Sequence, residues 1–417
     1  MSQSTTDSTR TTDEGRTLGA VPRPRSTEAV PALEAARRGV RWLQRSGIQS
    51  DGGGYHSWFD RTAEVYPFEY SEVTGYQVTL GAWLAARGDL ALREVALGDA
   101  ERAVRWLAAA VQPVPGAFRC LEASAAVGRF AGKADRLYTF DAGIILQGLV
   151  AHHVARAAEG GSALALRTAV DTGEWLLRHV DADGVVQPWP ATPEAGAWQD
   201  APADWSTRPG VHHAKIGIGL AALGEVTGDE RFTRAALAVC QDALRHQTES
   251  GRFVTNPVAG TTNLHPHCYA AEALWAVGTA TGREDLLAAS ERATLWALAT
   301  TDRDGLPPRR AGADDAGRTG VVRHPRVDAV AQVLRLAALH SVHGTRAAQR
   351  LTTTLLARQV DAPGEPRAHG GFAFGAGTDG TPLPHANVWV TAFAVQALVL
   401  AAGERRGTAV LDWRHLV

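Results

Sequence analysis

The chain has 417 residues, 45% of them apolar and 21% charged, and its 42 basic and 44 acidic side chains leave a formal net charge of −2. That balance excludes a strong polyanion footprint, so neither nucleic acid nor an anionic membrane surface is expected as the main partner. Cys120, Cys240 and Cys268 stand far apart without CxxC spacing, which excludes a disulfide framework and a cysteine zinc site.

Residues 1–28 are Ser, Thr, Asp, Gly, Pro and Arg with almost nothing to bury, and read as a disordered tail without the apolar core of a signal peptide. No apolar run is long enough to span a bilayer, and a cytoplasmic protein is expected. From there the apolar residues fall at helical spacing, and the alternation a sheet needs is nearly absent. An Ala-rich helix, a Gly-containing turn and an aromatic recur six times, at 37–58, 101–118, 173–189, 243–253, 295–307 and 355–374. Each copy is followed by an irregular stretch and a more apolar helix rich in small residues. These second helices open near residues 72, 141, 212, 265, 324 and 385. Near-regular spacing predicts an all-α (α/α)6 toroid over 29–405, its apolar helices inside and its charged ones outside, with 406–417 as a C-terminal tail.

In such a toroid the N-termini of all six inner helices share one face, where their dipoles favour polar or anionic ligands. The residues at these ends are Glu69, Tyr70, Glu72, Thr74 and Tyr76; Tyr138 and Asp141; His212, His213 and Lys215; His265, His267 and Tyr269; Arg323, His324 and Asp328; and His385, Asn387 and Trp389. Capping alone accounts for Asp141 or Thr74 singly, but so many titratable groups at one mouth point to a functional pocket. Tyr55, His56, Trp58 and Tyr66 follow the first turn, and Trp189, Trp198 and Trp205 lie in the Pro-rich segment 184–210; flat aromatics on such loops stack on sugars or apolar rings.

Only Lys133 and Lys215 are lysines, and a lysine kept where arginine is otherwise used marks a place for a group that can lose its proton. Lys215 is i+3 from His212 and is expected to have a depressed pKa from the helix end and the imidazoles. Glu72 and Tyr76 share a face at i, i+4. Without GxxxxGK[ST], GxSxG, HExxH or a strand-supported GxGxxG, no nucleotide cradle, hydrolase elbow, metal or cofactor is expected.

The motifs YSEVTGY (70–76), TFDAG (139–143), LHPHCYAAEAL (264–274), RVDAVAQVLRL (326–336), GGFAFG (370–375) and NVWVTAFAVQAL (387–398) resemble bacterial (α/α)6 proteins of polysaccharide and glycoconjugate biosynthesis. These belong to the six-hairpin-glycosidase-like superfamily, similar in architecture to glucuronyl C5-epimerase catalytic domains. The chain departs from that pattern at Ala142 and Ile144, at Val327–Ala329 and at Val390. A second resemblance, to terpenoid-cyclase toroids, rests on Gln112 to Gly116 with Phe118 and on Gln247 to Gly251 with Phe253; the DxDD acid of such cyclases is missing.

The resemblance implies a carbohydrate-active enzyme acting on a small-molecule or oligosaccharide substrate. Its acid/base residues are expected to be Glu72, Tyr76, Tyr138, Asp141 and Lys215, as an epimerase or lyase on a uronate-like sugar or as a glycoside hydrolase. Tyr55, Trp58, Glu69, Trp189, Trp205, His212, His213, His265, His267, Tyr269, Arg323, Asp328, His385, Asn387 and Trp389 are expected to bind the substrate. The alternatives are a cyclase or isomerase of an apolar natural product and a non-catalytic glycan-binding toroid.

Overall fold

The computed structural model describes residues 26–121, 130, 132–201, 204–314, 317–403 and 411–417; of the expected tail 1–28, residues 1–25 lie outside them and 26–28 instead begin the first helix. Among the described residues twelve α-helices alternate between two layers. The inner layer is α2 (Ser71–Arg87), α4 (Thr139–Ala155), α6 (Ile216–Thr227), α8 (Leu264–Thr281), α10 (Val327–Leu339) and α12 (Val388–Ala401). The outer layer is α1 (Ser26–Arg45), α3 (Arg93–Ala109), α5 (Ala163–Leu177), α7 (Glu230–Leu244), α9 (Glu284–Thr300) and α11 (Arg346–Leu356). Each inner helix packs on the next, and α12 packs on α2 to close the ring.

Composition decides the layer. Among the residues of α12, those from Val388 to Leu400 are buried apart from Trp389, whereas α7 buries one stripe that includes Phe232, Ala236 and Val239 and leaves the rest half-buried or exposed. Small residues set the spacing inside the ring. A Cβ on Gly143 of α4 would lie 2.4 Å from Cβ of Ile216 on α6, so only glycine admits that approach.

The recurrent glycine turn has one mechanical purpose. Gly116 has φ +81°, and a Cβ there would lie 2.1 Å from the Asp171 carbonyl of α5; Gly184, at φ +83°, would meet the Ala238 carbonyl of α7 at 2.1 Å. Equivalent contacts join Gly53 to Arg102, Gly251 to Arg292, Gly305 to Arg350 and Gly370 to Arg38. Each turn thus seats on the backbone of the next outer helix, and the sixth seats on the first. Glutamine ties three of these joints. Gln49 Nε2 donates to the carbonyls of Gly53 and Asp99, Gln247 Nε2 to those of Gly251 and Ala289, and Gln359 Nε2 to those of Gly370 and Ala35.

The inner-to-outer connections are short and the outer-to-inner ones long, so the long loops gather at the inner-helix N-termini. Short strands order some of them. β1 (Trp58–Asp60) pairs antiparallel with β5 (Pro382–Asn387), which pairs with β4 (Phe372–Ala376); β2 (Thr262–Asn263) pairs with β3 (Arg310–Ala311). The register Trp58 to Asn387 and Asp60 to His385 fastens the first long loop to the last.

Residues 411–417, expected to be part of a tail, are instead a buried plug against α2, α4, α6 and α8 at the opposite end. Leu416 and Val417 are 0% and 1% exposed. Gln147 Nε2 donates to the Arg414 and Leu416 carbonyls, and Gln396 Nε2 to that of His415, so polar side chains of the inner layer hold the plug's backbone.

Candidate active site

A cavity of about 980 Å³ opens at the inner-helix N-termini, and every inner helix or the residues just before it supplies part of its wall. Tyr70 and Glu72 come from the start of α2, Tyr138, Phe140 and Asp141 from α4, His212 from the 3-10 turn Val211–Lys215 that precedes α6, His265 and Tyr269 from α8, Arg326 from the residue before α10, and Trp389 from α12. The long loops add Trp58, Phe68, Phe130, Lys133, Arg136, Asp204, Trp205, Arg309, Phe374 and residues 377–379.

Two carboxyl groups dominate its chemistry. Asp141 sits in the first turn of α4 but caps nothing: its Oδ2 is buried without a hydrogen-bond partner. Burial pushes its pKa well up, the Glu72 carboxylate pushes it further, and Lys133 pulls the other way. A helix dipole, worth about 0.3–1 kcal/mol for an exposed acid, does not offset that desolvation. Of the two, Asp141 is the one that holds its proton more firmly. Glu72 keeps some surface in the cavity; burial raises its pKa too, but the Tyr70 and Tyr76 hydroxyls, Lys133 and Arg326 all favour its anion. Two acids with diverging environments thus line one cavity.

Neutral imidazoles face them. Burial lowers His212 well below the ordinary histidine range, as do the neighbouring His213 and His265; burial and Arg326 bring His265 down to about 4. The Trp205 indole meets both rings edge-on, at 5.2 Å from His212 and 5.9 Å from His265. On the far wall Trp58 stacks on His385 at 4.3 Å and 11°, with Trp389 edge-on at 6.4 Å. Cations complete the rim. Arg326 is held by the Asp328 carboxylate at 2.9 and 3.0 Å, Arg136 donates to the Tyr138 hydroxyl at 3.3 Å and lies over the Trp189 ring, and Arg309 donates to the Ala376 carbonyl.

Of the expected site residues, Glu72, Tyr138, Asp141, Trp58, Trp205, His212, His265, Tyr269, His385 and Trp389 line this one cavity. The others do not, each for a physical reason. Lys215 is fully buried below it, donating to Glu272 at 2.8 Å; its pKa is lowered to about 8 by burial and Arg335 rather than by imidazoles, and it stays charged at neutral pH. The Tyr76 hydroxyl meets that of Tyr269 at 2.8 Å, one layer behind the wall. His267 points outward, with Nδ1 accepting from the Phe253 amide and Nε2 donating to the Ala293 carbonyl, because residues two apart on a helix face nearly opposite ways. His213 packs behind His212 at 3.9 Å.

Tyr55 belongs to the apolar core, and Glu69 accepts hydrogen bonds from Ser50 and the Trp106 indole. Trp189 is fully buried beside Tyr138. Arg323 donates to the Leu306 and Thr300 carbonyls, and Asn387 caps α12 by accepting from the Val390 amide. Asp328 is spent on Arg326 and the Trp389 indole, so it braces the wall without forming it; its pKa is held down to about 2 because Arg326 and His265 outweigh burial. Lys133, Arg136, Asp204, Arg309, Arg326 and Phe374 are wall residues that the helical repeat did not single out. Among the described residues no group of three or more His, Cys, Asp or Glu is arranged to hold a metal ion.

No protein-family model matches the chain, and no curated protein does. Solved structures do match over nearly the whole length. A sugar epimerase from a ruminal bacterium superposes with a TM-score of 0.67 at 11% identity, covering 92% of this chain and 100% of its own. An unsaturated glucuronyl hydrolase from Bacillus sp. GL1, responsible for glycosaminoglycan degradation, gives 0.61 at 18% identity, covering 92% and 97%. A D-mannose isomerase gives 0.65 at 10%, covering 90% and 99%. At such identities the likeness speaks for architecture alone, and with the closed double ring of helices it shows that this chain is an (α/α)6 toroid.

Proposed function

We propose that the protein is a carbohydrate-active enzyme that works by general acid/base catalysis, with Asp141 as proton donor and Glu72 as its ionised partner. The observation that carries this reading is the desolvated Asp141 carboxyl, its Oδ2 without a hydrogen-bond partner, beside Glu72 in a cavity walled by Trp58, Trp205 and Trp389. Indole faces and edges suit the C–H surfaces of a sugar ring, and the fold neighbours that act on sugars support the choice of substrate class. Asp141 would give its proton to the departing glycosidic oxygen as the C–O bond breaks. Glu72 would take a proton from the water that attacks the anomeric carbon, or would attack that carbon itself. Lys133 favours the anion at both carboxyls, and the Tyr70 and Tyr76 hydroxyls and Arg326 add to that at Glu72.

One observation favours a second reading. The neutral His212 and His265 rings meet around Trp205 on one wall, and a neutral imidazole can remove a proton from a carbon beside a carbonyl, which would make the protein an epimerase or isomerase. Epimerisation that pairs Lys215 with Tyr76 or Tyr138 is not retained, because of these only Tyr138 lines the cavity.

A panel of neutral and uronic-acid glycosides, incubated in deuterium oxide and followed by a reducing-end assay and by NMR, separates the two. New reducing ends without carbon-bound deuterium, abolished by Asp141→Asn and Glu72→Gln, are expected. Carbon-bound deuterium lost in His212→Gln and His265→Gln would favour the second reading, and turnover surviving all four changes would overturn both.

A further inference from the structure

Below the cavity, the buried polar groups around Glu272 form a chain that ends on His265. Glu272 is 0% exposed, and its carboxylate receives Lys215 Nζ at 2.8 Å on Oε2 and Arg335 Nη2 at 2.5 Å and Nε at 3.2 Å on Oε1. With two buried cations on it, this carboxylate is ionised and can only accept. Gln332, also 0% exposed, lies between it and the cavity wall: its amide nitrogen is 3.4 Å from Glu272 Oε2, and its amide oxygen is 2.7 Å from His265 Nδ1.

An amide can be turned end for end, and its hydrogen-bond partners decide which way it points. Turned over, Gln332 would set its oxygen against an acceptor-only carboxylate in a buried site, with no proton between them. Glu272 therefore makes Gln332 present its oxygen to His265, and an oxygen at 2.7 Å requires Nδ1 to carry the hydrogen. Asp328 Oδ2 is 3.5 Å from the same nitrogen, too far for a hydrogen bond, and it is already engaged by Arg326 and the Trp389 indole.

We infer that Glu272 and Gln332 are positioning residues that fix the tautomer of His265, with hydrogen on Nδ1 and the bare Nε2 offered to the cavity as an acceptor. The ring then accepts from a ligand hydroxyl, or takes a proton, without first exchanging tautomers. What Nε2 meets rests on the reading of the cavity as a sugar site; the tautomer does not.

The test needs no substrate. The protein is produced with ¹⁵N-labelled histidine, and long-range ¹H–¹⁵N correlation spectra are recorded at neutral pH, with His265 assigned by its disappearance in His265→Gln. A single species with protonated Nδ1 and bare Nε2 is expected. Gln332→Met removes the acceptor at nearly constant volume and is expected to give a mixture of tautomers or the opposite one. Glu272→Gln, which lets the Gln332 amide turn, is expected to do the same where it still folds.

Protonated Nε2 or an imidazolium in the wild-type spectrum would overturn the inference, as would an unchanged His265 in a folded Gln332→Met protein. Failure of the glycoside panel with the expected spectra would sink the sugar reading alone.

Discussion

The two lysines mark two regions that share burial and differ in bookkeeping of charge. At the waist of the toroid, Lys215 and Arg335 together face one carboxylate, Glu272, and the glutamines Gln332 and Gln396 take up remaining lone pairs and protons. At the mouth, Lys133 stands near two carboxyl groups, and one oxygen of Asp141 has nothing bonded to it. Desolvation alone does not distinguish the two, since burial acts on Asp141 and Glu72 at the mouth as it does on Lys215 and Glu272 at the waist. What differs is whether the partners are complete. A satisfied cluster holds structure, and an unsatisfied one is available for a ligand.

Substitutions at the two regions should therefore separate stability from activity. At the mouth, Asp141→Asn and Glu72→Gln are each expected to lower kcat/KM on a responsive glycoside by about 10²- to 10⁴-fold, the usual worth of a positioned acid or base. Asp141→Asn should leave the urea midpoint unchanged or raised, because it removes a buried carboxyl with one oxygen unsatisfied; a large loss of stability would place Asp141 with the waist residues. At the waist, Glu272→Ala leaves two buried cations uncompensated and should cost about 3–5 kcal/mol in urea unfolding. Retained stability there would dissolve the contrast.

Acid provides a finer test. Asp328 has its pKa held down to about 2 from 3.8, because Arg326 and His265 outweigh burial. A carboxyl depressed in the folded state stabilises above its unfolded pKa and loses that contribution as pH falls from about 4 to about 2, roughly 2–3 kcal/mol in all. Asp328→Asn should lack this part of the acid dependence when unfolding free energies are compared across that window. The smallest effect expected is at Lys133. Removing its charge in Lys133→Met takes away an interaction that lowers Asp141, so the alkaline limb of the kcat/KM profile, where Asp141 gives up its proton, should move to higher pH. Movement to lower pH would contradict the assigned donor.

The repeat was legible because its physics is local. Helical spacing, a glycine at each seat and small residues inside are written into every copy, and Gly116 and Gly251 show why the glycine is needed. The mouth was legible as far as the inner-helix ends reach, which brought out Glu72, Asp141, His212 and His265. Lys133, Arg136 and Arg309 escaped because they lie in loops without periodicity, whose return across the mouth depends on contacts such as the pairing of β1 with β5. His267 could have been set aside from sequence, since a helix cannot turn residues two apart to one side. The selection of Lys215 over Lys133 rested on helix placement, and placement says nothing of a partner such as Glu272, 57 residues further on.

The seat of Gly370 against Arg38 has a bearing on how the ring comes to be. Five of its joints link neighbours in the chain, but the sixth brings the first helix to the last long loop, as do the bonds from Gln359 to the Ala35 carbonyl and from Arg38 to Gln359 across a separation of 321 residues. During synthesis α1 leaves the ribosome first and waits longest for α12 to cover its apolar face. Ring closure must come late, through contacts of the highest sequence separation the molecule has, and such closures are slow. The clasp rather than any single hairpin is thus where assembly is most exposed to failure.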